Sequence, residues 1–442
     1  MNHLDRLADL IARARTAGAD AADAVLVAGT SLSVNRRFGK TENIERSEGQ
    51  DLGLRVFIGK QSAIVSATSI DPASFTELAE RAVAMAKVVP EDPWSGLAET
   101  AAPPDAMDLD MVDPAEPSAT DLVARAAIAE DATLSVKGIT NTEGADAGYS
   151  RGELYLVTSA GFAGHRAGTS HSVSATALVG EGTDMQRDYD YDSKAWLADL
   201  DDAAAIGRSA AARALARLNP VRPKTAKLPM LYDPRIATSL LGHLMGAING
   251  ASVARGTSFL KEKLGQKIFP SGIWIHDDPR RVRGPRSRVF DGEGTPTRAH
   301  DLVADGVLTT WLLDSRSARQ LGLASTGHAS RGTSGPPSPS PSNLWLAAGT
   351  MTPDELMADI KLGLYITEMM GGGVNGVTGD YSRGAAGFMI RDGKIAEPVA
   401  EFTVAGHALE MFAHLTPAND LVFRRGTDSP TVRVEGMTLA GA

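Results

Sequence analysis

The sequence predicts an α+β protein in which helix-flanked β-sheet units precede a β-rich C-terminal part. Three observations carry that prediction. Apolar residues recur at helical spacing at Leu4, Leu7, Ile11 and Ala14, and again at Leu122, Ala126 and Ala129. Strand-like alternation follows each run, as in Leu52, Leu54 and Val56 against Gly53, Arg55 and Phe57. From about Pro223 onward, strand-like pieces alternate with glycine turns, and only two helices stand out. The expected segments are 1–115, 116–222 and 223–442, in keeping with roughly 100–200 residues per domain.

In the first segment Gly18 stands where a helix stop belongs. After a turn at Gly59-Lys60, Ala63-Ile64-Val65 continues as a partner strand. Asp71 caps a second helix and Pro72 suits its first turn, with Phe75, Leu78, Ala82 and Met85 as the buried stripe. Residues 89–117 are rich in Pro, Asp and Ala without periodicity and read as a linker or a long surface crossover. In the second segment Glu153–Thr158 and His171–Val179 are strands. Met185–Asp192 places Tyr189 and Tyr191 on one face and charges on the other, which suits an edge strand because charges discourage pairing with other chains. A helix from Ala204 to Leu218 ends at Asn219-Pro220. Ser66-Ala67-Thr68 and Ser174-Ala175-Thr176 hint at an internal duplication, although three small residues match easily by chance.

In the third segment one helix runs from Asp233-Pro234 to about Ile248. Another begins at Thr352-Pro353-Asp354-Glu355, a capping box, and turns Leu356, Met357 and Ile360 to the core. Thr333–Ser342 is rich in Pro and Ser and is expected as a surface loop, because its prolines withhold backbone donors from a sheet.

Composition excludes several classes. The net charge is −10 and aromatic residues are 5%. No Lys/Arg run or stacking platform appears, so no nucleic-acid partner is expected. The absence of cysteine removes disulfides, thiolate nucleophiles and Cys-ligated zinc. Asp5 and Asp9 interrupt any apolar run near the N-terminus, which does not read as a signal peptide. No stretch of about 18 apolar residues offers a membrane span. The cytoplasm is the expected location.

Nine histidines are present, but no H-E-x-x-H or H-E-x-x-x-H occurs. His407, Glu410 and His414 lie at i, i+3 and i+7. On a regular helix they share a face, either as metal ligands or as a solvated polar stripe. His276-Asp277-Asp278-Pro279 reads as a turn, since neighbours on a strand point to opposite faces. G-x-S-x-G is absent. Gly371-Gly372-Gly373-Val374-Asn375-Gly376 lacks the ending of a nucleotide loop. Its glycines suit a tight turn, or a strand end along which a peptide backbone lies.

Six segments, in order, then carry a resemblance. They are Gly53–Lys60, Arg255-Gly256-Thr257-Ser258, Asp291-Gly292-Glu293-Gly294-Thr295, Ser325-Thr326-Gly327-His328 with Arg331, Thr378-Gly379-Asp380-Tyr381-Ser382-Arg383-Gly384, and Gly393–Val399 followed by Thr403–Gly406. Together they resemble the TldD/PmbA family, and its PmbA/TldE branch in particular. The family carries the older label "modulator of DNA gyrase". The resemblance implies a PmbA/TldD-like fold and a cytoplasmic metallopeptidase built from two paralogous chains that acts on small or unfolded polypeptides. The TldD branch carries H-E-x-x-x-H upstream of the R-G-T-S segment, plus a distant cysteine that also ligates the metal. Here the corresponding positions are Leu241, Gly242 and Gly246, with His243 shifted and alone, read as packed or capping. The resemblance therefore implies no catalytic residue and no metal ligand in this chain. A divalent metal such as zinc is expected in a TldD-type partner. The expected peptide path is Gly371, Gly372, Gly373, Asn375, Asp380, Ser382 and Arg383. Two alternatives stay open: a homodimer that hydrolyses peptides through ligands such as His407 and His414, and a non-proteolytic regulatory binding protein.

Overall fold

The computed structural model describes residues 2–99 and 106–442. Its N-terminal part runs α1 (His3–Thr16), β1 (Ala21–Arg37), β2 (Lys40–Ile58), β3 (Gln61–Ala67), α2 (Phe75–Ala86), α3 (Ala119–Leu134), β4 (Asn141–Thr158), β5 (Ala163–Val179), β6 (Gln186–Lys194) and α4 (Ala203–Ala216). Capping boxes start α1 at Asn2 and α3 at Ser118. The strands form one antiparallel sheet in the order β3-β2-β1-β4-β5-β6. The two helix–strand units therefore share a sheet rather than each closing its own. Both read helix, three strands, helix, mirrored about the β1–β4 seam. The tripeptides do not occupy matching strands of that mirrored topology, since Ser66 falls in outer β3 and Ser174 in inner β5.

Alternate residues of a strand share a face. On β1, Ala22, Ala24 and Leu26 pack under α1 and α2, while Val34 packs under α3 and α4. Both helix pairs thus cover the even-numbered face. On α2 the buried face is Phe75, Leu78, Ala79, Ala82, Val83 and Ala86. Met85 is 43% exposed, a correction to the expected stripe, because Ala86 completes the turn instead. β6 is indeed an edge strand. Its acidic face points inward, however: Asp188, Asp190 and Asp192 are buried. Asp190 is answered by Arg213 at 3.3 Å, and Asp188 by Arg235 at 2.9 Å. The expected linker contains no helix or strand among its described residues. It buries Leu109 and Asp113, and Thr169 donates its N–H to the Met111 carbonyl (2.9 Å). Residues 100–105 of that stretch lie outside the described ones.

The C-terminal part contains β7 (Ala226–Tyr232), α5 (Pro234–Ala247), α6 (Gly250–Ala254), β8 (Ile275–Asp277), β9 (His300–Ala304), β10 (Val307–Leu308), α7 (Ser315–Leu321), β11 (Ala329–Ser330), β12 (Ser338–Pro339), β13 (Leu344–Leu346), α8 (Pro353–Met357), β14 (Leu362–Met370), β15 (Asp380–Arg391), β16 (Lys394–His407), α9 (Ala408–Ala413), β17 (Leu415–Pro417), β18 (Thr427–Asp428) and β19 (Val432–Ala440). A six-stranded sheet, β16-β15-β14-β7-β19-β17, packs under α5; a five-stranded sheet, β10-β9-β8-β13-β18, lies beside it. Helices α6 and α7 are too short to show a period, so the sequence hid them, whereas α9 falls where a helix was one of the readings. Thr333–Ser342 is more than a surface loop. It supplies β12, buries Ser342 on Asp277, and presses the Thr333 carbonyl against β2, where a Cβ on Gly53 would stand 2.2 Å from that oxygen.

The odd-numbered face of the N-terminal sheet meets this part through a buried ion cluster. Asp23 on β1 accepts from Arg55 Nε on β2 (3.0 Å) and from Arg331 Nη1 just after β11 (2.5 Å). Arg55 also lies 3.8 Å from Glu293, whose other oxygen accepts the Ser315 N–H at the start of α7. Burial pushes the Asp23 carboxyl upward, but Arg331 and Arg55 outweigh it and hold it below its ordinary 3.8. Removing one member of a buried cluster strands the others as unpaired charges. Asp23→Ala is expected to lose roughly 3–5 kcal/mol in urea unfolding. The pH dependence has a definite sign. A carboxyl with a lowered folded pKa stabilises above its ordinary range, and that contribution disappears as pH falls through the folded value. Asp23→Asn should therefore flatten the acid limb of the stability curve; an unchanged limb would show that the cluster is not coupled to folding.

Candidate functional site

Helix α5 has two faces. Asp233 accepts from the Arg235 N–H and Pro234 fills the first turn, so the helix starts sharply. Ala237, Leu240, Leu241, Leu244 and Met245 face the core. Ser239, Gly242, His243 and Gly246 line the other side. Of this second face, His243 meets the connection between β14 and β15, at Gly373.

That connection is built by its own side chains. Asn375 Oδ1 accepts from the N–H groups of Val377 (3.0 Å) and Thr378 (3.3 Å). Thr378 donates its hydroxyl to Asp380 (2.6 Å), and the Asn375 N–H donates to the Asp380 carbonyl (2.8 Å). Gly371 and Gly379 take positive φ, of 78° and 86°, which suits them to the ends of the bend. Asn375 and Asp380 are thus committed to shaping the turn, while Gly371, Gly372 and Ser382 are exposed beside it. The Ser382 N–H donates back to Gly373 (3.1 Å).

The turn meets α5 at His243. A Cβ on Gly373 would stand 2.2 Å from His243 Cε1, so only glycine admits the ring. Tyr381 closes the other side edge-on at 5.7 Å between centroids. Burial first, and the Arg383 charge second, lower the His243 imidazole to about 4. The ring is therefore neutral near pH 7. Its Nε2 is buried without a hydrogen-bond partner among the described residues, as is Arg383 Nε. Of the expected path residues, Gly373 and Arg383 sit against His243, and the others form or flank the turn. The sequence marked His243 as packed or capping but held no sign that Gly373 was its counterpart.

The three positions expected to match the two histidine ligands and the glutamate base of the TldD branch offer no donor side chain here. Leu241 is buried in the core, and Gly242 and Gly246 carry no side chain and face open space. His407 and His414 do not converge either, which corrects the shared-face reading. His407 ends β16, donating Nε2–H to the Thr378 carbonyl (2.8 Å), and α9 spans only six residues. His414 lies at the surface near Glu410. Among the described residues no group of three His, Cys, Asp or Glu side chains stands close enough to hold an ion. No described helix is long and apolar enough to cross a membrane.

The fit of glycine to ring is testable. Gly373→Ala should cost about 1–3 kcal/mol by forcing His243 aside, and adding His243→Ala should recover most of that loss. A double-variant loss equal to the sum of the two single losses would show that the two residues are not coupled.

Comparison with known proteins bears on the family. Family profiles described as PmbA/TldA metallopeptidase domain 1, central domain and C-terminal domain match residues 22–86, 112–218 and 225–441. Metalloprotease PmbA of Escherichia coli O157:H7 is 37% identical over 426 residues, covering 96% of this chain and 92% of that protein. The crystal structure of a putative modulator of DNA gyrase from Bacteroides thetaiotaomicron superposes with a TM-score of 0.90 at 26% identity, covering 99% and 98% of the two chains. TldE from Thermococcus kodakarensis gives 0.86 at 21% identity, covering 99% and 100%, and shares the fold. The chain belongs to the PmbA/TldD metallopeptidase family.

Proposed function

We infer that this chain is the PmbA/TldE-type subunit of a two-chain cytoplasmic peptidase, and that its paralogue performs the metal chemistry. The observation that carries this reading is the α5 face. It packs His243 against the glycine-rich turn and presents Gly242 and Gly246 at the positions expected to match the base and the second histidine of the TldD branch. The partner is a TldD-type chain carrying H-E-x-x-x-H and a divalent metal such as zinc. A metal with three protein ligands and one open position can activate water, and that work falls to the partner. This chain would shape the substrate path. The exposed strand end at Gly371 and Gly372, with Gly373, Ser382 and Arg383 beside it, offers backbone to an extended polypeptide, a recurring mode of peptide recognition. Asn375 and Asp380 would hold that end in shape.

The reading predicts that neither chain alone cleaves an unstructured polypeptide, whereas the mixture co-elutes on size exclusion and cleaves it. Cleavage by this chain alone, or a mixture that neither associates nor cleaves, would overturn it.

A further inference from the structure

A cleft of about 750 Å³ opens on the face of the N-terminal sheet opposite its helices. The strand register builds its floor. Val27, Leu154 and Arg166 form one cross-strand row; Gly29, Gly152 and Gly168 form the next; Ser31, Ser150 and Ser170 form the third. Directly paired residues share a face, so the glycine row is a trough between an arginine and a ridge of hydroxyls. The trough is open at Gly152, where a Cβ would meet nothing within 4 Å, and it is walled by Met111 beside Gly168.

The Arg166 side chain has no hydrogen bond or ion pair among the described residues. The nearby acid, Asp291, is occupied by the backbone N–H groups of Glu293 (2.9 Å), Thr295 (2.9 Å) and Ala329 (3.0 Å). Arg288 adds a like charge nearby, and burial together with that charge lowers the Arg166 guanidinium to about 10. The Arg166 guanidinium thus has no carboxylate bonded to it among the described residues, and its fork matches one. Among the described residues, the adjoining edge of β5 before Thr169 has no strand partner. β6 pairs with β5 only from His171 to Val179. The Thr169 N–H points outward to Met111, and strand alternation turns the N–H and C=O groups of Ala167 and His165 the same way.

We propose that this cleft binds the C-terminal end of an extended peptide, with its terminal carboxylate on Arg166 and its backbone along the free edge of β5. The site lies on a different sheet from His243 and Gly373, so it stands or falls independently of the subunit role.

Isothermal titration of the full chain with Ala-Leu-Ala, as free acid and as C-terminal amide, tests this. The acid should bind and the amide should bind at least tenfold more weakly. Arg166→Gln should bring the acid to the amide's level, and Gly152→Val should block both. Arg166→Gln should not lower the Tm, because the side chain has no partner to lose; it decides the matter alone if Gly152→Val fails to fold. Equal binding of acid and amide, no binding at millimolar peptide, or native-like binding of the acid by Arg166→Gln would overturn the proposal. Acetate or inorganic phosphate binding as tightly as the peptide would mark a small-anion site and overturn it equally.

Discussion

The Asp23 carboxylate is shared between Arg55 of its own sheet and Arg331 of the C-terminal part, and the arrangement of the two parts depends on that sharing. The N-terminal sheet has helices on one face only, and Asp23 belongs to the other. Taking three charges out of water is costly unless each is answered, so the docked geometry is the one that answers them. Glu293 extends the cluster to α7, and the close approach of Thr333 to Gly53 leaves no room for a different register. The family segments around Glu293 and Arg331 are in this protein structural: they hold the two parts together.

With that frame fixed, α5 and the β14–β15 turn meet in a complementary pair. Gly373 has no side chain because His243 occupies the space, and His243 is neutral because burial and Arg383 both oppose its charge. The same helix presents bare backbone at Gly242 and Gly246. That pairing of a glycine turn with bare helix backbone is what the proposed division of shape and chemistry between two chains rests on.

Local structure was legible in the sequence where a single element carries its own signal. The alternation of Leu52, Leu54 and Val56, the capping box at Thr352 and the edge character of β6 could all be read directly. What could not be read depends on partners distant along the chain. The β1–β4 seam pairs Asp23 with Thr158, and no local pattern announces it. The inward face of β6 is acidic because Arg213 and Arg235 wait there, so polarity alone misassigns the faces. At the candidate site the glycine run was visible, but its counterpart ring was not. Arg166 belongs to no motif, and only the register reveals it beside a glycine row.

The most direct measurement is the metal content per chain, by elemental analysis of protein purified without chelator, first alone and then as the complex with a TldD-type paralogue. The account predicts near-zero metal alone and about one ion per pair in the complex, carried by the partner's three ligands. Close to one ion per chain in the isolated protein would contradict it.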